Sequence, residues 1–340
     1  CSQGTAQDPA VSIDLTAEFE VEVVADGLNN PCGLALRHGS RSSGVDYVYF
    51  AESGAGRIAV VTGDKTGEVA SAVEGFPTGP CELGQAYVMG PLGTDFITPG
   101  KLAVSVGGGD RGPARICVYL LEAAAGQSID WEAFDHEVRP SSMRSNGEEA
   151  TEQFFGLAHN DGSLFVVGGG PGGDWILEAS ITKNRLSDLQ CEIDGRALSG
   201  VRRPLAATID ETAGNGYLAV GHVGSITAER DSALVFYAPR SGRVAATFRA
   251  GIYDLVDLAY SSAGNLYAID AAWHDGEAGG VYRLDASIVD NEHVCQAVKI
   301  ASAVHPTSLA FASDGSMYVT AFGPSGDDRN GQLLKITGPF

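Results

Sequence analysis

The chain has 340 residues, 44% of them apolar, and its 43 acids against 22 bases give a formal charge of −21. A field of that sign repels nucleic acid and anionic surfaces, so a nucleic-acid partner is excluded. No stretch of about 18 or more apolar residues occurs, so no membrane-spanning helix is expected. Charged residues at only 19%, beside 45 glycines, suit a turn-rich all-β protein.

In chain order, residues 1–17 read as a tether. Cys1 opens a polar, small-residue stretch, Ser2-Gln3-Gly4-Thr5-Ala6-Gln7-Asp8-Pro9-Ala10. This start resembles that of mature bacterial lipoproteins, which implies a lipid on Cys1 and attachment to the membrane through it. It further implies an extracytoplasmic place, in the periplasm or at the cell surface, with Ser2 favouring the outer membrane. Several acyl chains would hold a soluble domain firmly, at about 0.8 kcal/mol per buried methylene.

A spare strand, Phe19-Glu20-Val21-Glu22-Val23-Val24, precedes six returns of one phrase. The openings are Pro31-Cys32-Gly33-Leu34-Ala35, Pro80-Cys81-Glu82-Leu83-Gly84, Phe154-Phe155-Gly156-Leu157-Ala158, Pro204-Leu205-Ala206-Ala207-Thr208, Leu255-Val256-Asp257-Leu258-Ala259 and Pro306-Thr307-Ser308-Leu309-Ala310. They lie 49, 74, 50, 51 and 51 residues apart. A period near fifty marks an array in which each repeat is one supersecondary unit. Within each repeat, short β-branched and aromatic runs alternate with Gly, Asn and Asp turns, as in Leu266-Tyr267-Ala268-Ile269 after Gly264-Asn265. Four antiparallel strands fill such a repeat, the size of one propeller blade.

The expected fold is therefore an all-β, six-bladed β-propeller over 18–340. Its blades fall at about 28–76, 77–150, 151–201, 202–251, 252–302 and 303–340 plus 18–27. The last repeat holds only three strands, so the leading strand completes it and closes the ring, removing the open edges. The long second step predicts a surface excursion over Glu122–Glu152, on one rim, carrying Trp131 and Phe134.

Of six cysteines, Cys32 and Cys81 occupy the same slot of neighbouring repeats and are the disulfide candidates. Cys117 lies in an apolar run and reads as a buried thiol. No CxxC or HxxxH spacing suggests zinc. Asp327-Asp328-Arg329-Asn330-Gly331 is the most metal-like run, but lacks the order of an EF-hand loop.

The pattern Asn-Pro-x-Gly-Leu-Ala, a Gly/Asp turn, a Tyr-Val strand and then Gly-x-Ile resembles six-bladed propellers with NHL-type repeats. More loosely it is similar to scytonemin-cluster propellers and to SMP-30-like calcium lactonases. Propellers of this kind place their sites at one mouth of the central channel. Glu52, His222 and Asp270 end second strands there, with Trp273, His274 and Asp275 close behind Asp270. Glu82, Asp257 and His305 occupy or adjoin first-strand slots, and blades 2 and 5 face each other across a six-fold ring. Converging carboxylates suit a hard cation such as calcium, so Glu52 and Asp270, or Glu82 and Asp257, are the candidate metal ligands. His222, Trp273, His274 and His305 are the candidate mouth-lining residues. Lone acids at strand ends also serve as turn partners, and His159 in Ala158-His159-Asn160-Asp161-Gly162 reads as a hairpin-turn residue.

The lactonase resemblance implies a divalent ion held by an early carboxylate, an Asn and a late Asp; Glu52 and Asp270 fit the slots, and no Asn is evident. A quinone-dependent sugar dehydrogenase would need a His base, for which His222 or His159 could serve, with an Arg and a calcium loop that the sequence does not display. No Gly-x-Ser-x-Gly elbow occurs. The function expected first is thus a lipid-anchored binding or scaffold propeller with a protein partner in an envelope complex. A calcium-dependent lactonase-like hydrolase or a quinone-type sugar dehydrogenase, with its site at the channel mouth, is the alternative.

Overall fold

The computed structural model describes residues 16–39, 46–62, 67–80, 88–108, 112–121, 128–140, 153–170, 173–194, 203–209, 216–227, 229–239, 241–290, 292–324 and 329–340. These form six antiparallel sheets that follow one another around a ring. Blade 1 is built from Pro31–Arg37, Tyr47–Glu52, Arg57–Thr62 and Ala70–Glu74, and blade 2 from Thr94–Thr98, Lys101–Val106, Arg115–Leu120 and His136–Val138. Blade 3 uses Gln153–His159, Ser163–Gly170 and Gly173–Thr182, with Arg185–Leu186 and Gln190–Asp194 outside them. Blade 4 comprises Pro204–Ile209, Leu218–His222, Ala233–Ala238 and Arg243–Arg249. Blade 5 comprises Leu255–Tyr260, Leu266–Asp270, Gly280–Val289 and Glu292–Ser302. Blade 6 takes Pro306–Phe311, Met317–Ala321 and Gly331–Thr337 from the end of the chain and Glu20–Leu28 from its beginning.

That last pairing is the latch expected from the sequence. Val21 stands opposite Ile336 and Val23 opposite Leu334. The ring is closed by strand pairing, with Glu20–Leu28 covering the outer side of Gly331–Thr337 as the fourth strand of blade 6.

The hydrophobic core is divided as the blades are. Six clusters of buried side chains lie one at each blade-to-blade interface. Tyr49 and Ala51 pack toward blade 2, whereas Val48 and Phe50 of the same strand pack toward blade 6. A strand sends successive side chains to opposite faces, and here both faces are covered. The middle strands therefore read as continuous apolar runs rather than alternating ones. Each fully buried side chain such as Phe50 or Leu164 contributes about 1.5–3 kcal/mol.

The structure shifts the second repeat. The innermost strand of blade 2 is Thr94–Thr98 and not the segment opening at Pro80. Gly79–Pro80 instead pairs with Val88–Met89 in a separate two-stranded ribbon. Residues 81–87, with Cys81 and Glu82, lie outside the described residues. Aligned on Gly33, Gly93, Gly156, Ala206, Asp257 and Ser308, the steps become 60, 63, 50, 51 and 51, so the extra length is shared by blades 1 and 2. The expected rim excursion is also different where it is described. Ile129–Asp130 adds in parallel to the outer edge of blade 1, and His136–Val138 is the fourth strand of blade 2. Trp131 closes their junction, with its ring 6.1 Å from that of Phe76 and under the Arg115 guanidinium.

The aligned slot has a steric reason. In five blades the innermost strand changes register at or beside it. Its side chain then aims at the innermost strand of the next blade. A Cβ on Gly33 would come 1.7 Å from the Leu92 carbonyl oxygen, and one on Gly93 would come 1.9 Å from that of Phe155. Blades 1, 2 and 3 thus meet backbone to backbone, which glycine alone permits.

Candidate active site

The six inner strands surround a central cavity of about 300 Å³. Leu34, Leu92, Phe155, Leu157 and Leu205 give its wall apolar surface, and Asp95, His159, Thr208, Asp257, Thr307 and Ser308 supply polar groups.

Asp95 comes from the inner strand of blade 2, and His159 is the last residue of the inner strand of blade 3. Their side chains meet with Asp95 Oδ2 2.7 Å from His159 Nδ1. Both are partly open to the cavity, with side-chain exposures of 22% and 32%. His159 pairs with Leu164 across the hairpin, so it belongs to the strand, and the turn chemistry falls to Asn160, whose Oδ1 accepts from the amides of Gly162 and Ser163. A carboxylate on Nδ1 favours the tautomer with its proton there and makes Nε2 the basic nitrogen.

Asp257 belongs to blade 5, across the ring from blade 2. Its Oδ2 accepts from Ser308 Oγ (2.5 Å) and from the Leu309 amide (2.8 Å), and its Oδ1 accepts from the Leu258 amide (2.9 Å). Ser308 Oγ in turn accepts from the Leu34 amide (3.0 Å). The slot that is glycine in blades 1 to 3 is therefore a hydrogen-bonded seam from blade 5 through 6 to 1. Burial pushes the Asp257 carboxyl up to about 6 against the pull of these hydrogen bonds, and the charge of Asp95 adds to the rise. On the same wall Thr94 is buried, and its Oγ1 has no hydrogen-bond partner.

The residues expected at the mouth are placed differently from one another. Inner strands all start at that end, where Pro31 lies opposite Glu52, Pro204 opposite His222 and Leu255 opposite Asp270. Glu52 is held by Arg57, with Nη2 at 2.5 Å and Nε at 2.6 Å, and accepts from the Asn29 amide. Asp270 accepts from the amides of Tyr253, Asp254 and Ala272, and burial raises its pKa despite these bonds. Each carboxylate clamps its own loop, and the structure does not bring them together. Neighbouring Asp254 is fully buried; its Oδ2 accepts from the Trp273 amide, its Oδ1 has no partner, and burial lifts it to about 7.

Trp273 lines the cavity at this end, stacked on His305 at 5.4 Å and 20° and flanked by Phe322. His305 itself is buried behind it, with Nδ1 3.0 Å from the Ala271 carbonyl oxygen. His274 is exposed and packs on Tyr253. His222 has no solvent exposure and sits with Nε2 3.3 Å from the Tyr237 hydroxyl. The Cys32 thiol lies on the cavity wall against the carbonyls of Pro91 and Leu92; its expected partner Cys81, like Cys1, falls outside the described residues.

Calcium and quinone can be tested against these donors. Among the described residues no three His, Cys, Asp or Glu side chains gather as a metal site. Glu52 is neutralised by Arg57, so its oxygens are committed. A pyrroloquinoline cofactor is a polycarboxylate, and among the described residues no Lys or Arg lines the cavity to receive it. Neither group fits this donor set.

No family model and no curated protein matches the chain. Solved structures do. A Thermus thermophilus protein provisionally described as an oxidoreductase (glucose dehydrogenase) is 16% identical, with a TM-score of 0.58 over 94% of this chain and 100% of its own. The PQQ-bound aldose sugar dehydrogenase of Streptomyces coelicolor is 14% identical, with a TM-score of 0.61 over 94% of this chain and 98% of its own. A protein provisionally described as a gluconolactonase is 15% identical, with a TM-score of 0.56 over 96% and 94%. The likeness is one of fold. It places this chain among six-bladed β-propellers, several of which carry enzyme names.

Asp95 is not among the residues expected from the sequence. An opening of the second repeat at Pro80 leaves Gly93-Thr94-Asp95-Phe96 unmatched, whereas the structure has its inner strand at Thr94–Thr98. The available signal was Leu92-Gly93, which aligns with Cys32-Gly33 and Phe155-Gly156.

Proposed function

We propose that the protein is a hydrolase of small esters or lactones, with its site inside the channel and His159 as general base. The Asp95–His159 pair carries this reading, because a carboxylate-oriented imidazole beside a cavity is an arrangement suited to moving a proton. Propeller neighbours named for lactone and sugar chemistry support an enzyme over a purely structural role.

In the proposed step His159 Nε2 takes a proton from water as its oxygen bonds to the acyl carbon. The tetrahedral adduct then expels the alcohol oxygen, the acyl C–O bond breaks, and the imidazolium returns the proton to that oxygen. Asp95 holds the ring and stabilises its charged form. The Thr208 hydroxyl on the wall is an available donor to the developing oxyanion.

The test is hydrolysis of a panel of small lactones and carboxylic esters, followed by pH-stat on the full chain. Turnover by the wild type, lost on both His159→Ala and Asp95→Asn with the thermal midpoint kept, is the expected result. No turnover across the panel, or full turnover by His159→Ala, overturns the reading.

Attachment through a lipid on Cys1 belongs with this proposal as a statement of where the enzyme works. An unmodified Cys1 in the mass spectrum of the native protein would remove it.

A further inference from the structure

The cavity has a charge asymmetry that the hydrolase reading does not use. Among the described residues its wall carries two carboxylates, Asp95 and Asp257, and one imidazole, with no Lys or Arg. Asp95 is met by His159, and Asp257 only by hydroxyl and amide donors, none of which bears a charge. At the Trp273 end the wall turns aromatic, with Trp273, Phe322 and Phe155. The faces of such rings are negative and attract cations. The formal charge of −21 extends the same preference outward, since an acidic molecule concentrates cations and repels anions before they reach a channel.

We infer that the channel selects small organic cations of the ammonium type, Asp257 and Asp95 supplying the negative charge and Trp273 an aromatic wall. The proposal deepens the hydrolase reading by giving its substrate an amine-bearing ester or lactone, but the binding half stands without catalysis. It also accounts for product release. Hydrolysis creates a carboxylate next to two others, so the product is repelled from the site that held the substrate.

Three probes of one shape isolate the charge: choline, 3,3-dimethylbutan-1-ol and 3,3-dimethylbutanoate. Calorimetry on the full chain at pH 7.5 should show choline binding about tenfold or more tightly than the neutral alcohol, and no binding of the anion. Asp257→Asn should lower choline affinity about tenfold and leave the alcohol unchanged. Should that seam variant fail to fold, Asp95→Asn reads the same ratio from the opposite wall. Equal affinities for choline and the alcohol, measurable binding of the anion, no choline binding at about 10 mM, or a ratio untouched by both Asn variants each overturn the inference. His159→Ala separates the two readings. Loss of turnover with choline binding retained supports both. Turnover that survives this variant defeats the hydrolase alone, and absent cation preference defeats this inference alone.

Discussion

Two sets of carboxylates surround the same axis, and they have opposite circumstances. At the mouth, Glu52 and Asp270 stand where second strands end, and every oxygen is answered by Arg57 or by amides of their own loops. Deeper in the channel, Asp95 and Asp257 lie on inner strands, border an open cavity, and touch a histidine or a seam between blades. An acid's place along a propeller strand therefore says little about its role. What distinguishes the sets is what they border: Glu52 and Asp270 tie down their own loops, whereas Asp95 and Asp257 line the cavity, Asp257 hydrogen-bonded as fully as Asp270 is.

The sharpest way to break the comparison is to remove the channel base. His159→Ala should cut hydrolysis about 10²- to 10⁴-fold, read beside the thermal midpoint of the same variant. Next in size is the mouth. Asp270→Ala strands three amides and should cost about 3 kcal/mol or more of stability in a denaturant titration. If it instead left stability alone and abolished activity, the division drawn here would be wrong.

A pH scan sharpens the comparison further. Asp254 and Asp257, lifted to about 7 and about 6, are protonated in the fold where the unfolded chain is ionised. Folding therefore binds protons above the ordinary carboxylate range near 4, and stability falls as pH rises from about 4 to about 7. Asp46, Asp135 and Asp314 are held low by their partners and act in the other direction, losing their contribution as pH falls below that range. The thermal midpoint should thus be higher near pH 5 than near pH 8, and Asp254→Asn should shrink that difference. The smallest effect belongs to Glu52→Gln, which weakens one partly buried ion pair and should cost about 1–2 kcal/mol with turnover unchanged.

Much of the fold was legible because blade sheets bury both faces. That makes each middle strand a short apolar run, and six of them at near-constant spacing leave little choice of architecture. The latch was legible for the same reason, since a three-stranded final repeat and one spare strand complement each other. Blade 2 was misplaced because Pro80-Cys81 imitates Pro31-Cys32, whereas the feature under steric control is the glycine that lets adjacent backbones approach. Asp95 was hidden by that slip. His159 was visible but read as a turn residue, since Asn160-Asp161-Gly162 follows it and the hairpin turn begins one residue later. Glu52 and Asp270 were found at their expected strand ends, but which partners saturate them depends on contacts such as Arg57 and Tyr253 that no repeat pattern encodes.

The latch has a kinetic side. Val21 and its partner Ile336 lie 315 residues apart in the chain, so the ring stays an open arc with a waiting edge until the later of the two has been made. Such long-range pairing is slow and leaves an unpaired strand exposed to other chains. A peptide copying 18–28, added during refolding, should compete for the vacant side of the last blade, trapping rings whose own first strand hangs loose.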